Sequence, residues 1–224
     1  MKNTSIQAYE IEPIPVMVET DTVDLPGDLV IPENCKAMIV FAHGSGSSRF
    51  SERNRKVAGS LNKAGFGTLL FDLLTAREQE IDEDTCEYRF NVDLLGVRLT
   101  QTVDWLLSRK DTVGLNVGVF GASTGSAAAI IAAAERPERI SALVSRGGRP
   151  DLAKQYLARV RTPSLFIAGG DDASVIAMNR SALIDMKCEK RLEIIPDAGH
   201  LFEEPGKLED VSTLAKDWFM KWIE

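Results

Sequence analysis

Asn116-Val117-Gly118-Val119-Phe120-Gly121-Ala122-Ser123-Thr124-Gly125, followed by an alanine-rich run over residues 126–134, is the stretch that decides how this chain folds. Residues 116–120 read as a strand and residues 123–134 as a helix. Between them lies G-x-S-x-G. A serine on a sharp strand-to-helix turn has its hydroxyl held clear of the backbone. The residues two before and two after it approach neighbouring backbone so closely that glycine suits both places. The helix that follows points its N-terminal dipole at the serine, which favours a developing negative charge there. Small residues after a strand also suit plain helix–sheet packing, so the motif needs partners elsewhere in the chain.

Strands and helices alternate outward from this point. Residues 37–42, 67–74, 140–144, 164–168 and 191–195 read as further strands. Residues 54–64, 91–107, 177–186 and 208–222 read as helices, and Asp151 can cap another running to about residue 158. This alternation predicts a mostly parallel sheet with helices on both faces. Residues 16–18 and 23–30 read as antiparallel edge strands, with Leu25-Pro26-Gly27-Asp28 as the turn between them. Residues 78–87 are acidic and least regular, and read as a solvated loop or as a flap carrying Cys86 or Tyr88. The 224 residues fit one domain, 1–224.

Ligands of such sheets bind at the carboxyl ends of the strands, so the partners of Ser123 are sought there. The chain has 2 histidines. His200, in Asp197-Ala198-Gly199-His200, follows the last strand and is the candidate base. His43 opens His43-Gly44-Ser45-Gly46-Ser47-Ser48 and reads as a structural loop residue. That loop can present backbone N–H groups to an oxyanion. The acid is sought in Gly169-Gly170-Asp171-Asp172. Asp172 is favoured, with Asp171 and Asp151 as alternatives. Asp72 is placed to brace the Gly/Ser loop. Arg49, Arg53, Arg55, Arg146 and Arg149 fall near strand ends. Arg146 or Arg149 is the candidate to hold a substrate carboxylate, against pairing with surface acids. Trp105, Trp218 and Trp222 read as core or interface anchors, and Phe202 as packing or a pocket wall.

Composition narrows the function. Hydrophobic residues make up 44% and charged residues 26%, which suits a soluble globular protein. A net charge of -7 argues against nucleic acid. Cys35, Cys86 and Cys188 are sparse, lack metal spacing and read as reduced thiols, so a cytoplasmic location and no metal are expected. Residues 1–7 lack a leader's apolar core, and no run is long enough to span a membrane. Neither G-x-G-x-x-G nor G-x-x-x-x-G-K-[ST] follows a strand, which disfavours nucleotide binding. The N-terminal edge strand and the Trp-bearing last helix are compatible with a homodimer.

With these pieces in place, the chain resembles the α/β-hydrolase superfamily, and more narrowly the small lid-less dienelactone-hydrolase-like enzymes, over roughly residues 16–224. The matching pieces are His43-Gly44, Gly121-Ala122-Ser123-Thr124-Gly125, Asp172-x-x-Val175 and Gly199-His200. The resemblance implies Ser123 as nucleophile, His200 as base and Asp172 as the acid that orients it. It implies the backbone N–H groups of Thr124 and Ser45 as oxyanion hole, no cofactor and a small ester as substrate. Dienelactone hydrolases proper use a cysteine nucleophile, and this position is Ser123, which favours plain ester hydrolysis. Thioesterase or peptidase activity on the same triad, or a non-catalytic binding role on the same scaffold, are the rival expectations.

Overall fold

The computed structural model describes residues 11–223, so the stretch read for a leader lies outside the described residues. Among the described residues, eight strands form one sheet in the order β1-β2-β4-β3-β5-β6-β7-β8. The strands are β1 (Ile14–Glu19), β2 (Asp24–Val30), β3 (Ala37–Ala42), β4 (Gly67–Phe71), β5 (Asn116–Ala122), β6 (Ile140–Arg146), β7 (Ser164–Gly169) and β8 (Lys190–Ile195). From β4 through β8 the pairs are parallel, and β1 and β2 add an antiparallel edge. This is the α/β-hydrolase architecture.

The strands bury both faces. In β3, Met38 and Val40 pack into one core and Ala37, Ile39 and Phe41 into the other. The first core is covered by α3 (Val92–Ser108), α4 (Gly125–Glu135) and α5 (Ala173–Asp185), the second by α1 (Glu52–Lys63) and α6 (Lys207–Trp222). The alanines of α4 let it sit close to the sheet and to α3. An added Cβ at Gly96 of α3 would lie 2.5 Å from Ile131 Cγ2.

Several sequence expectations shift. Leu25-Pro26-Gly27-Asp28 is not a turn but the middle of β2, because Leu25, Gly27 and Leu29 alternate inward. Pro26 precedes the first residue of β2 paired with β4, so no bond to β4 needs its missing N–H, and its carbonyl accepts from Asp72 N–H at 3.0 Å. The turn lies at residues 20–23, closed by Thr20 N–H to Val23 O at 3.1 Å. Strand β4 ends at Phe71, before the expected residue 74. Beyond it Leu73 N–H donates to His43 Nε2 at 3.0 Å and Leu73 O accepts from Arg98 at 2.8 Å, which takes the backbone out of the ladder.

The acidic stretch at 78–87 is neither loop nor flap over most of its length. It forms α2 (Ala76–Thr85), started by a capping box between Thr75 and Glu78 and ended by Cys86 at φ 58°. Two of its acids turn inward. Glu78 pairs with buried Arg98 at 2.6 Å, and buried Asp82 accepts from the N–H groups of Tyr88 and Arg89 at 2.7 and 2.9 Å. The helix expected to be capped by Asp151 is a 3-10 segment, Pro150–Arg159, with Arg149 in the cap position. Pro150 starts it two residues early, and the Asp151 carboxylate turns back to Arg149 at 2.9 and 2.8 Å. Cys35, Cys86 and Cys188 are free thiols. No described helix is long and apolar enough to cross a membrane.

Candidate active site

Ser123 leaves β5 at φ 51°, the left-handed region where a residue with a Cβ is strained. Its N–H donates to Arg146 O at 3.0 Å, and its carbonyl accepts from Arg149 N–H at 3.1 Å and Ser126 N–H at 3.1 Å. The turn is thus clamped from β6 and from α4. The expected helix start at Ser123 moves to Gly125, because the serine itself adopts the turn conformation. The glycine logic is visible in distances. An added Cβ at Gly121 would stand 2.5 Å from Ser126 Cα, and one at Gly125 would stand 2.3 Å from Ala42 O. Neither backbone can yield without moving the sheet.

Geometry sets the three candidate acids apart. His200 Nδ1 lies 2.7 Å from Asp172 Oδ2. The other carboxylate oxygen, Oδ1, accepts from Val175 N–H at 3.2 Å and from Ser174 Oγ at 3.0 Å. Asp172 is therefore also the N-cap of α5, which explains its three-residue spacing to Val175 and why α5 begins at Ala173 rather than at the expected residue 177. Burial pushes the Asp172 carboxyl up, but hydrogen bonds from His200, Val175 and Ser174 outweigh it and hold the group below the ordinary aspartate value. Asp171 shares the cavity, while its own N–H is spent on Ala198 O at 3.0 Å. Asp151 is committed to Arg149.

Ser123, His200, Asp172 and Arg149 line one open cavity of about 460 Å³, with Val175 and Met178 as its apolar wall. A cavity of about 730 Å³ against α1, β2 and β4 contains none of these groups. The loop that follows β3 is held to the serine turn by Ser45 N–H, which donates to Thr124 Oγ1 at 2.7 Å. The expected oxyanion donor at Ser45 is thus already engaged. Thr124, at the N-cap of α4, has no preceding turn to accept its own N–H. His43 is buried, with Nδ1 on Gly44 O at 2.9 Å and Nε2 accepting from Leu73 N–H, and burial lowers its basicity. Both ring nitrogens serve the backbone. Asp72 braces the same loop, accepting from Arg49 N–H at 2.7 Å and from the Arg49 guanidinium.

The arginines divide. Arg149 lines the cavity. Arg146, expected as its equivalent, does not: it shares a strand face with Ala142 and Val144, which pack into the α1 and α6 core. Alternation along β6 sends it there. Arg53 pairs with Glu203 at 2.7 Å and Arg55 with Asp28 at 3.0 Å. Phe202 is buried in the same core, at φ 57°. Trp218 packs there too and donates to Pro163 O at 3.3 Å. Trp105 and Trp222 pack against the cores from partly buried positions.

One residue beside the candidate site escaped the sequence reading. Gly147, at φ 54°, lies directly under the imidazole, and an added Cβ would meet His200 O at 3.2 Å and Cε1 at 3.4 Å. The only signal was a Gly-Gly pair after a strand. Gly147→Ala is expected to cost about 1–2 kcal/mol of stability through its backbone angle and up to about 100-fold in kcat through displacement of the ring. Urea unfolding with ester kinetics checks this, and unchanged kcat in folded protein would separate Gly147 from the site.

Comparison with known proteins follows the same lines. The model of the dienelactone hydrolase family matches residues 25–222. The crystal structure of a dienelactone hydrolase from Anabaena variabilis superposes with a TM-score of 0.94 at 53% identity, covering 96% of this chain and 100% of that one. Est1E from Butyrivibrio proteoclasticus superposes with a TM-score of 0.77 at 15% identity, covering 92% and 98%, a likeness of fold. A Mycobacterium tuberculosis protein provisionally named a phosphoribosyl transferase is 49% identical over 207 residues. Those residues are 92% of this chain and 45% of that protein, so the chain spans about half of that relative's length.

Proposed function

The chain belongs to the dienelactone hydrolase family and is a hydrolase of the α/β-hydrolase fold; from that premise we propose that it cleaves small carboxylic esters through Ser123, His200 and Asp172. The observation that carries the proposal is the 2.7 Å contact of His200 Nδ1 with Asp172 Oδ2, in the one cavity that also contains the strained Ser123. Asp172 accepts a hydrogen bond from Nδ1–H, so Nε2 carries the free lone pair and serves as base. His200 takes the Ser123 proton as Oγ attacks the carbonyl. The tetrahedral oxyanion is met by Thr124 N–H, and by Ser45 N–H once it shares or gives up its bond to the Thr124 hydroxyl. His200 then protonates the leaving group, and water repeats the sequence on the acyl-enzyme. The chemistry needs no metal or organic cofactor. The transferase name of the M. tuberculosis relative belongs to a protein more than twice as long, and that activity is not part of this proposal.

Labelling with a fluorophosphonate probe, read by mass spectrometry, tests the reading. An adduct on Ser123 that disappears in His200→Ala supports it. Well-folded protein without an adduct would favour a binding role on a hydrolase scaffold. Parallel turnover of oxygen esters, thioesters and amides then identifies the leaving group.

Arg149 is the cation beside this cavity. Asp151 fixes it through Nε and Nη2 and leaves Nη1 for an acidic group on the substrate. Arg149→Ala is expected to raise KM for carboxylate-bearing esters about tenfold. Neutral esters should be little affected, and equal changes for both would remove Arg149 from substrate selection.

A further inference from the structure

Arg146 is 7% exposed at the end of β6, and neither its Nε nor its Nη1 has a hydrogen-bond partner. The fold gives a comparable arginine a carboxylate partner, although its Nε too is buried without a hydrogen bond. Arg98, 2% exposed, donates to both oxygens of Glu78 and to Leu73 O. Around Arg146 the neighbouring charge is a second cation, Arg53, whose Nε is also buried without a partner. Burial first, and Arg53 second, weaken the hold of Arg146 on its proton to about 10. An unpaired buried charge costs several kcal/mol, and a like charge beside it adds to the cost.

Arg53 lies in the first turn of α1, a helix of 12 residues. Glu52 shares that first turn, and Glu203, 63% exposed at its side chain, takes only Arg53 Nη1. Among the described residues Arg146 makes no ion pair, and half-buried Glu204, whose Oε2 also lacks a partner, does not come within ion-pair distance of it, so two guanidinium groups leave an electropositive site in a chain of net charge -7.

We infer that Arg146 and Arg53 form a binding site for a small oxyanion, a phosphate or carboxylate group, on the α1 face of the sheet beside the serine turn. Guanidinium groups suit such a ligand because two N–H donors match two oxygens. The ligand supplies the negative charge that the protein withholds. The site does not depend on Ser123 being a nucleophile.

The test is thermal melting of the full chain in inorganic phosphate against chloride at equal ionic strength. Phosphate should raise the Tm of the wild type saturably, by about 2–4 °C. Arg146→Met should start higher than the wild type in chloride, because an apolar side chain replaces an uncompensated charge, and should lose the phosphate response. Arg53→Gln, at the surface, should fold normally and show a reduced response. No response in the wild type, or a response in Arg146→Met or Arg53→Gln equal to that of the wild type, overturns the site. Phosphate competition against an acidic ester but not a neutral one assigns the oxyanion to the substrate. Binding without competition assigns it to a free anion.

Discussion

Ser123→Ala is expected to lower kcat by about 10⁶-fold, the loss seen when the nucleophile of a serine triad is removed. The fold should hardly notice. Every hydrogen bond of Ser123 runs through its backbone, to Arg146, Arg149 and Ser126, and alanine keeps all three. Alanine also keeps the Cβ, so the strain of φ 51° is unchanged. Unfolding in urea should therefore match the wild type within about 0.5 kcal/mol, as for a substitution that removes no buried contact. That separation of activity from stability is diagnostic. A serine present for helix–sheet packing would give the reverse, a loss of stability with turnover intact. Residual turnover near the wild-type rate would refute the nucleophile outright.

The central elements were legible because one face pattern determines each of them. A strand buried on both sides reads as a short apolar run, and β3, β5, β6 and β7 were found that way. The Gly121 and Gly125 positions were legible because a Cβ at either would stand 2.3–2.5 Å from neighbouring backbone, which admits no other residue. The errors share a cause. At Pro26-Gly27 the turn-forming dipeptide outweighed the alternation of Leu25, Gly27 and Leu29, and the alternation decided the structure. At residues 78–87 charge was read as solvation, yet Asp82 is buried and Glu78 meets Arg98. Charge density says nothing about which carboxylates find a cation 20 residues away. Arg146 and Arg149 looked equivalent in Arg146-Gly147-Gly148-Arg149. Strand alternation sends the first into the α1 side, and the turn brings the second to the cavity. The assignment of Asp172 over Asp171 had no basis in spacing to His200, which lies 28 residues on. It rested on family resemblance, and the cap to Val175 explains the three-residue spacing in that resemblance.

That double use of Asp172 makes its substitution the sharpest test of the site. Asp172→Asn preserves shape and leaves an oxygen to accept from Val175 N–H, so α5 should keep its start. The group facing His200 Nδ1 becomes an amide, which donates. The imidazole then turns to the tautomer protonated on Nε2, which has no lone pair for the Ser123 proton. The expected loss is about 10⁴-fold in kcat. Asp171→Asn, one residue away in the same cavity, should stay within a few-fold, since no bond joins Asp171 to the imidazole. A similar loss in both variants would mean that cavity charge, rather than the Asp172–His200 contact, governs the rate. Stability against pH offers an independent reading. The folded Asp172 carboxyl titrates below the ordinary 3.8, so its contribution is complete above that value and is lost as pH falls through the folded value. Asp172→Asn should therefore lose less stability than the wild type on acidification below pH 3.8. Parallel acid curves would place the stabilising bonds elsewhere, even if the kinetic loss remained.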